Sequence, residues 1–105
     1  MYLQNPFTMI TKGILARLEA KPGKEEEVEA FLKSALPLAQ AENATVSWYA
    51  VRISHNTFGI FDSFEGEAGR DAHLNGPIAA ALMANADKLL AKPPVLEMVE
   101  ILASK

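Results

Sequence analysis

A chain of 105 residues without a single cysteine must carry any chemistry on a short list of side chains. Thiolate zinc sites, iron–sulfur clusters, disulfide frameworks and cysteine nucleophiles are excluded. Two histidines, His55 and His73, are the side chains whose ordinary pKa falls between pH 5 and 8. Ser54-His55-Asn56 reads as an exposed hairpin tip, so His73 is the candidate general base, with a packed or capping helix residue as its plainer role. An iron site of two histidines and one carboxylate would need His55 and His73 to converge, which these placements disfavour. Asp62 interrupts the otherwise apolar strand segment TFGIFDSF, and a carboxylate is costly to bury without a partner. It could orient His73, pair with Arg52 or Arg70, or lie at a strand edge in water, a structural ion pair being the commonest of these uses. Walker loops, dinucleotide fingerprints and GxSxG elbows are missing, so nucleotide, nicotinamide and acyl-transfer chemistry have no support.

The elements that must position these groups follow from periodicity and turn residues. Residues 11–20 are rich in aliphatics and end at Lys21-Pro22-Gly23, which marks a first strand and its turn. Val28, Phe31, Leu32, Ala35, Leu38 and Ala39 share one helical face behind Glu25, Glu26, Glu27 and Glu29, so an amphipathic helix is expected, kinked or ended near Pro37. Segments 45–53 and 57–64 are β-branched and aromatic on either side of the 54–56 turn, a β-hairpin. Ala68, Ala72, Ile78, Ala79, Leu82, Ala86 and Leu89 give a second helix, split by Asn75-Gly76-Pro77. Lys92-Pro93-Pro94 stops it, and 95–102 reads as the last strand. The order β-α-β-β-α-β predicts an α+β, ferredoxin-like plan: a four-stranded antiparallel sheet with two helices on one face. One domain is expected over residues 1–105, with residues 1–10 as an N-terminal lead.

Two helices can cover only one face, yet the strands are apolar on both parities. Ile14, Ala16 and Leu18 alternate with Leu15, and Phe58, Ile60 and Phe64 with Phe61. A homodimer joined through sheet faces is the expected cover. Thirteen acidic against ten basic side chains give a net charge of −3, the wrong sign for neutralising phosphates, so no nucleic-acid partner is expected. Phe58-Gly59-Ile60-Phe61 lies where an RNA-stacking motif would, but Asn56, Thr57 and Ile60 replace its basic, glycine and aromatic positions. No apolar run is long enough for a membrane span and the first residues lack a signal-peptide pattern, so no membrane association and a cytoplasmic location are expected.

Read together, LARLEAKPGKEEEVEAFL, TVSWYAVRI, FGIFDSF and AHLNGPIAAAL resemble the antibiotic biosynthesis monooxygenase family over residues 12–103. The shared motifs are the acidic Asp62 in the third strand, the aromatic Phe64 at its end and His73 beyond it. This resemblance implies a dimeric α+β barrel and a cofactor-independent monooxygenase, with no metal or flavin, acting on a small electron-rich aromatic such as a quinol or anthrone. Such a reaction needs one base and a dry, aromatic-lined pocket. His73 would accept the proton and Asp62 would orient it; Trp48, Phe64 and Met83 would line the pocket, and Tyr49 and Asn75 would hydrogen-bond a substrate oxygen. A non-catalytic dimeric small-molecule-binding or stress-related module would use the same residues as core and ion pair. A haem-degrading branch of the barrel carries Asn, Trp and His at the positions of Ala16, Phe64 and His73. Only the histidine matches, so haem binding or degradation is a minor alternative.

Overall fold

The computed structural model describes residues 9–105; the N-terminal lead read over residues 1–10 lies outside them except for Met9 and Ile10. Eight elements follow in order: β1 (Lys12–Glu19), α1 (Glu25–Ser34), α2 (Leu36–Ala41), β2 (Thr45–Arg52), β3 (Thr57–Phe64), α3 (Glu67–Leu74), α4 (Pro77–Leu89) and β4 (Val95–Glu100). The strands form one antiparallel sheet in the order β2-β3-β1-β4. This is the α+β, ferredoxin-like arrangement, each expected helix being a broken pair.

Both breaks have a chemical cause. Pro37 has no N–H to continue the ladder of α1, and the chain restarts as α2 with that proline in its first turn. The restart changes the helical phase: Ala35 and Ala39 are buried, whereas Leu36 and Leu38 are exposed, so Leu38 leaves the core face that the 3.6-residue period gave it. Pro77 opens α4 behind Gly76, its fixed φ suiting the first helical position. Before α1, Gly23 takes φ +86°, a turn conformation that L side chains avoid, and Glu25, Glu26 and Glu27 then meet the positive end of the helix dipole.

Ile14, Ala16 and Leu18 of β1 and Phe58, Ile60, Asp62 and Phe64 of β3 point into the helix-covered side and are buried. Of these, Ala16, Leu18, Phe58 and Ile60 pack with Val28 and Leu32 of α1 and with Leu82, Ala86 and Leu89 of α4. Ala35, Ala39 and Ile78 form a smaller cluster, and the Trp48 side chain touches both. A register irregularity between Thr45 and Ser47 adds one residue to the start of β2, so Thr45 pairs with Phe64, while the regular pairing beyond it sets Trp48 opposite Asp62. The continuous register from Arg52 opposite Phe58 at the hairpin turn to Ser47 opposite Ser63 settles the parity of the two neighbouring aromatics: Trp48 faces the helices and Tyr49 the opposite side. In α3 the alanine pattern misleads, because Ala68 and Ala72 are exposed and the buried residue is His73.

A charged network beneath the third helix

Asp62 occupies the helix-facing side of β3, next to β1 in the middle of the sheet, and is 1% exposed. Above it α3 comes close because Gly69 has no side chain: a Cβ there would stand 3.2 Å from both Cβ and O of Ala44 and 3.5 Å from Cβ of Phe64. One turn later His73 enters the space so opened. Its Nε2 lies 2.9 Å from Asp62 Oδ2 and its Nδ1 lies 2.7 Å from Glu42 Oε1. The Phe64 ring packs against the imidazole, centroids 5.5 Å apart. Glu42, at the end of α2, also accepts a hydrogen bond from Thr45 Oγ1 at 2.6 Å.

A neutral imidazole has one N–H, whereas a carboxylate at each nitrogen calls for two, which only the imidazolium supplies. Burial of the ring works against its charge and by itself would lower the pKa. Hydrogen bonds to Asp62 and Glu42, with the charges of both, outweigh it and raise His73 from 6.5 to about 9. At neutral pH the ring therefore donates at both nitrogens and keeps no lone pair. That is a different protonation state from the one a free proton acceptor needs, and it leaves neither nitrogen for ligating iron. The carboxylates grip opposite ends of the ring, and among the described residues no group of three or more His, Asp or Glu side chains is placed to hold a metal ion.

Trp48 and Asp62 are direct cross-strand partners on one face of the sheet, where opposed side chains are nearest neighbours. Trp48 Nε1, a donor, and Asp62 Oδ1, an acceptor, are both buried without a protein partner, as is Glu42 Oε2. Two hollows lie along β2, and neither is lined by Trp48 or Asp62. One, of about 170 Å³, is walled by Leu32, Ala50, Arg52 and Phe58; the other, of about 140 Å³, by Glu42, Thr45, Ala72 and His73.

Four of the residues singled out in the sequence, His73, Asp62, Trp48 and Phe64, thus converge. Three do not. Tyr49 is 59% exposed on the other face of the sheet, across from Phe61. Met83 is 63% exposed and borders a surface groove with Pro93 and Pro94, because the positions of α4 that reach the core are Ile78, Leu82, Ala86 and Leu89. Asn75 caps α3, its Nδ2 donating to Asp71 O at 2.9 Å. The arginines offered as partners for Asp62 are engaged elsewhere: Arg70 donates to the carbonyls of Gly13 and Val99, and Arg52 pairs with Glu29 over the Phe58 ring. Glu42, the second carboxylate, carries no sequence signal beyond its place at a helix end, since it reaches His73 across 31 positions.

A four-stranded antiparallel sheet with paired helices on one side defines the class of protein by fold, α+β and ferredoxin-like. Among solved structures, a protein of unknown function from Nitrosomonas europaea is 57% identical, with a TM-score of 0.91, covering 93% of this chain and 95% of its own. The chain belongs to one family with that protein. It shares its fold with a "Putative antibiotic biosynthesis monooxygenase" of the same organism, 12% identical with a TM-score of 0.79 over 97% of this chain and 96% of the other. A second protein of that name, from Caulobacter crescentus, is 18% identical with a TM-score of 0.75 over 91% and 93% of the two chains. No protein-family model and no curated protein matches the sequence.

Proposed function

We propose that the chain is a homodimeric, cofactor-independent monooxygenase acting on a small, flat aromatic that bears a hydroxyl. The carrying observation is the pairing of Trp48 Nε1 with Asp62 Oδ1, an unused donor beside an unused acceptor on one buried face. A hydroxyl is the group that answers both, its oxygen accepting from the indole and its proton directed at the carboxylate. Asp62 Oδ1, in place of His73, is then the atom that takes the proton. His73, held cationic behind Oδ2, stabilises the negative charge that develops as the hydroxyl ionises. The ionised ring is the reductant: it supplies four electrons to dioxygen, one oxygen atom entering the product and the other leaving as water. The fold shared with proteins named as monooxygenases supports this reading.

A second reading is a non-catalytic dimeric small-molecule-binding or stress-related module in which the same residues serve as core and ion pair; the size of the two hollows along β2 favours packed core over a ring-sized pocket. Each is smaller than the roughly 300–1,000 Å³ of ordinary ligand pockets. Trp48 is the chain's one tryptophan, so its emission reports occupancy directly. The test is oxygen consumption by metal-stripped protein with naphthoquinols and anthrones, against an autoxidation control, together with tryptophan emission. Uptake above autoxidation is expected, falling about 10²-fold or more in Asp62→Asn and also in Trp48→Phe, which keeps the ring and removes the donor. Emission changes without uptake would favour the binding module; uptake indifferent to both substitutions would reject this site.

The homodimer is supported by the sheet side away from the helices, where Leu15, Tyr49, Val51, Ile53 and Val95 are between 45% and 59% exposed. Facing copies should bury roughly 1,200 Å² in total or more. Among the described residues no helix is long and apolar enough to cross a membrane, and a cytoplasmic location is part of this proposal.

A further inference from the structure

The outer side of the sheet carries, besides its apolar side chains, two charges that the chain itself leaves unanswered. Arg17 of β1 and Glu97 of β4 both point outward and are exposed. A third outward charge, Glu19, sits at the rim and pairs with Lys92 at 3.6 Å. Arg17 and Glu97 make no ion pair among the described residues, although β1 and β4 are adjacent. In their register Arg17 lies across from Val95 and Leu15 from Glu97, so the two charges are diagonal neighbours.

Beside them the sheet is hollowed. Gly59, across β3 from Arg17, has no side chain, and a concavity of about 400 Å³ opens there between Leu15, Val51, Ile53, Phe61 and Val95. An apolar concavity edged by one unpaired cation and one unpaired anion is self-complementary. In a two-fold interface, a contact from the first residue to the second is repeated from the second to the first. When identical faces meet, the two-fold axis lies in the plane between the sheets. An axis passing midway between Arg17 and Glu97, at right angles to the line joining them, puts each residue over the other's counterpart.

We propose that the sheet-face homodimer is held in one register by two symmetric ion pairs, Arg17 to Glu97 of the partner subunit and Glu97 to the partner's Arg17. The inference rests on the homodimer proposed above and adds the residues that set its geometry. Desolvated opposite charges amid apolar surface select one registry, and like charges at the same place penalise it. The surrounding apolar contacts supply the affinity.

Charge exchange tests it, with the dimer dissociation constants of full-length wild type, Arg17→Glu, Glu97→Arg and the double exchange measured by analytical ultracentrifugation at low salt. Each single variant sets like charges opposite each other and is expected to weaken association about tenfold or more, and the double exchange to return within about threefold of wild type. A wild type that sediments as an 11.4 kDa monomer throughout the micromolar range would overturn the homodimer and this pairing together. A dimeric wild type with unaffected single variants, or single losses that the double exchange does not repair, would overturn the pairing and leave the dimer standing.

Discussion

Replacing His73 with alanine is expected to destabilise the fold by about 3–5 kcal/mol, most of it from what the substitution leaves behind. Asp62, 1% exposed, and Glu42 both direct carboxylate oxygens at the ring, and its removal leaves two buried anions without their cation. The loss of ring packing against Phe64 adds to this. Urea unfolding at pH 7 and fixed protein concentration measures the effect. His55→Ala is the control: that imidazole sits at the exposed hairpin tip, 3.6 Å from Glu25, and its loss should change stability by less than about 0.5 kcal/mol. A His73→Ala protein as stable as the control would mean that the network contributes nothing to the fold.

The same network makes stability depend on pH in the alkaline direction. The folded pKa of His73 lies above its unfolded value of 6.5, at about 9, so the folded state binds the proton more tightly. The resulting stabilisation is fully present below pH 6.5 and is lost as pH rises through 9, a difference of roughly 3 kcal/mol. Unfolding midpoints followed from pH 6 to pH 10 should therefore fall in the wild type. In His73→Gln, which has no titrating ring, the decline over this window should be largely absent. Equal slopes in both proteins would assign the decline to other groups.

Strand positions, the hairpin, both helix breaks and the ferredoxin-like order are legible in the sequence because each rests on local chemistry. β-branched and aromatic residues fill 45–52 and 57–64, and prolines 37 and 77 act within a turn of themselves. Legibility ends where the deciding contact is distant or the period is interrupted. The register of the hairpin around residues 54–56 determines that Trp48, and not Tyr49, stands beside Asp62, and a slip of one residue there would exchange them. The helical period puts Leu38 on the core face and the family resemblance puts Met83 at a pocket, but packing selects other positions of their helices. Asp62 was visible as a carboxylate in an apolar strand, and His73 as a titratable residue. Their joint charge state was not, because it depends on Glu42, brought to Nδ1 by the fold alone.

The charge on His73 moves the proton-accepting role to Asp62 and underlies the expected alkaline loss of stability. Long-range ¹H–¹⁵N correlation spectra of the imidazole, recorded from pH 5 to pH 10, measure it directly. Both ring nitrogens of His73 should carry protons at pH 7, with a titration midpoint near 9. A single neutral tautomer at pH 7, with a midpoint at or below 6.5, would contradict the account.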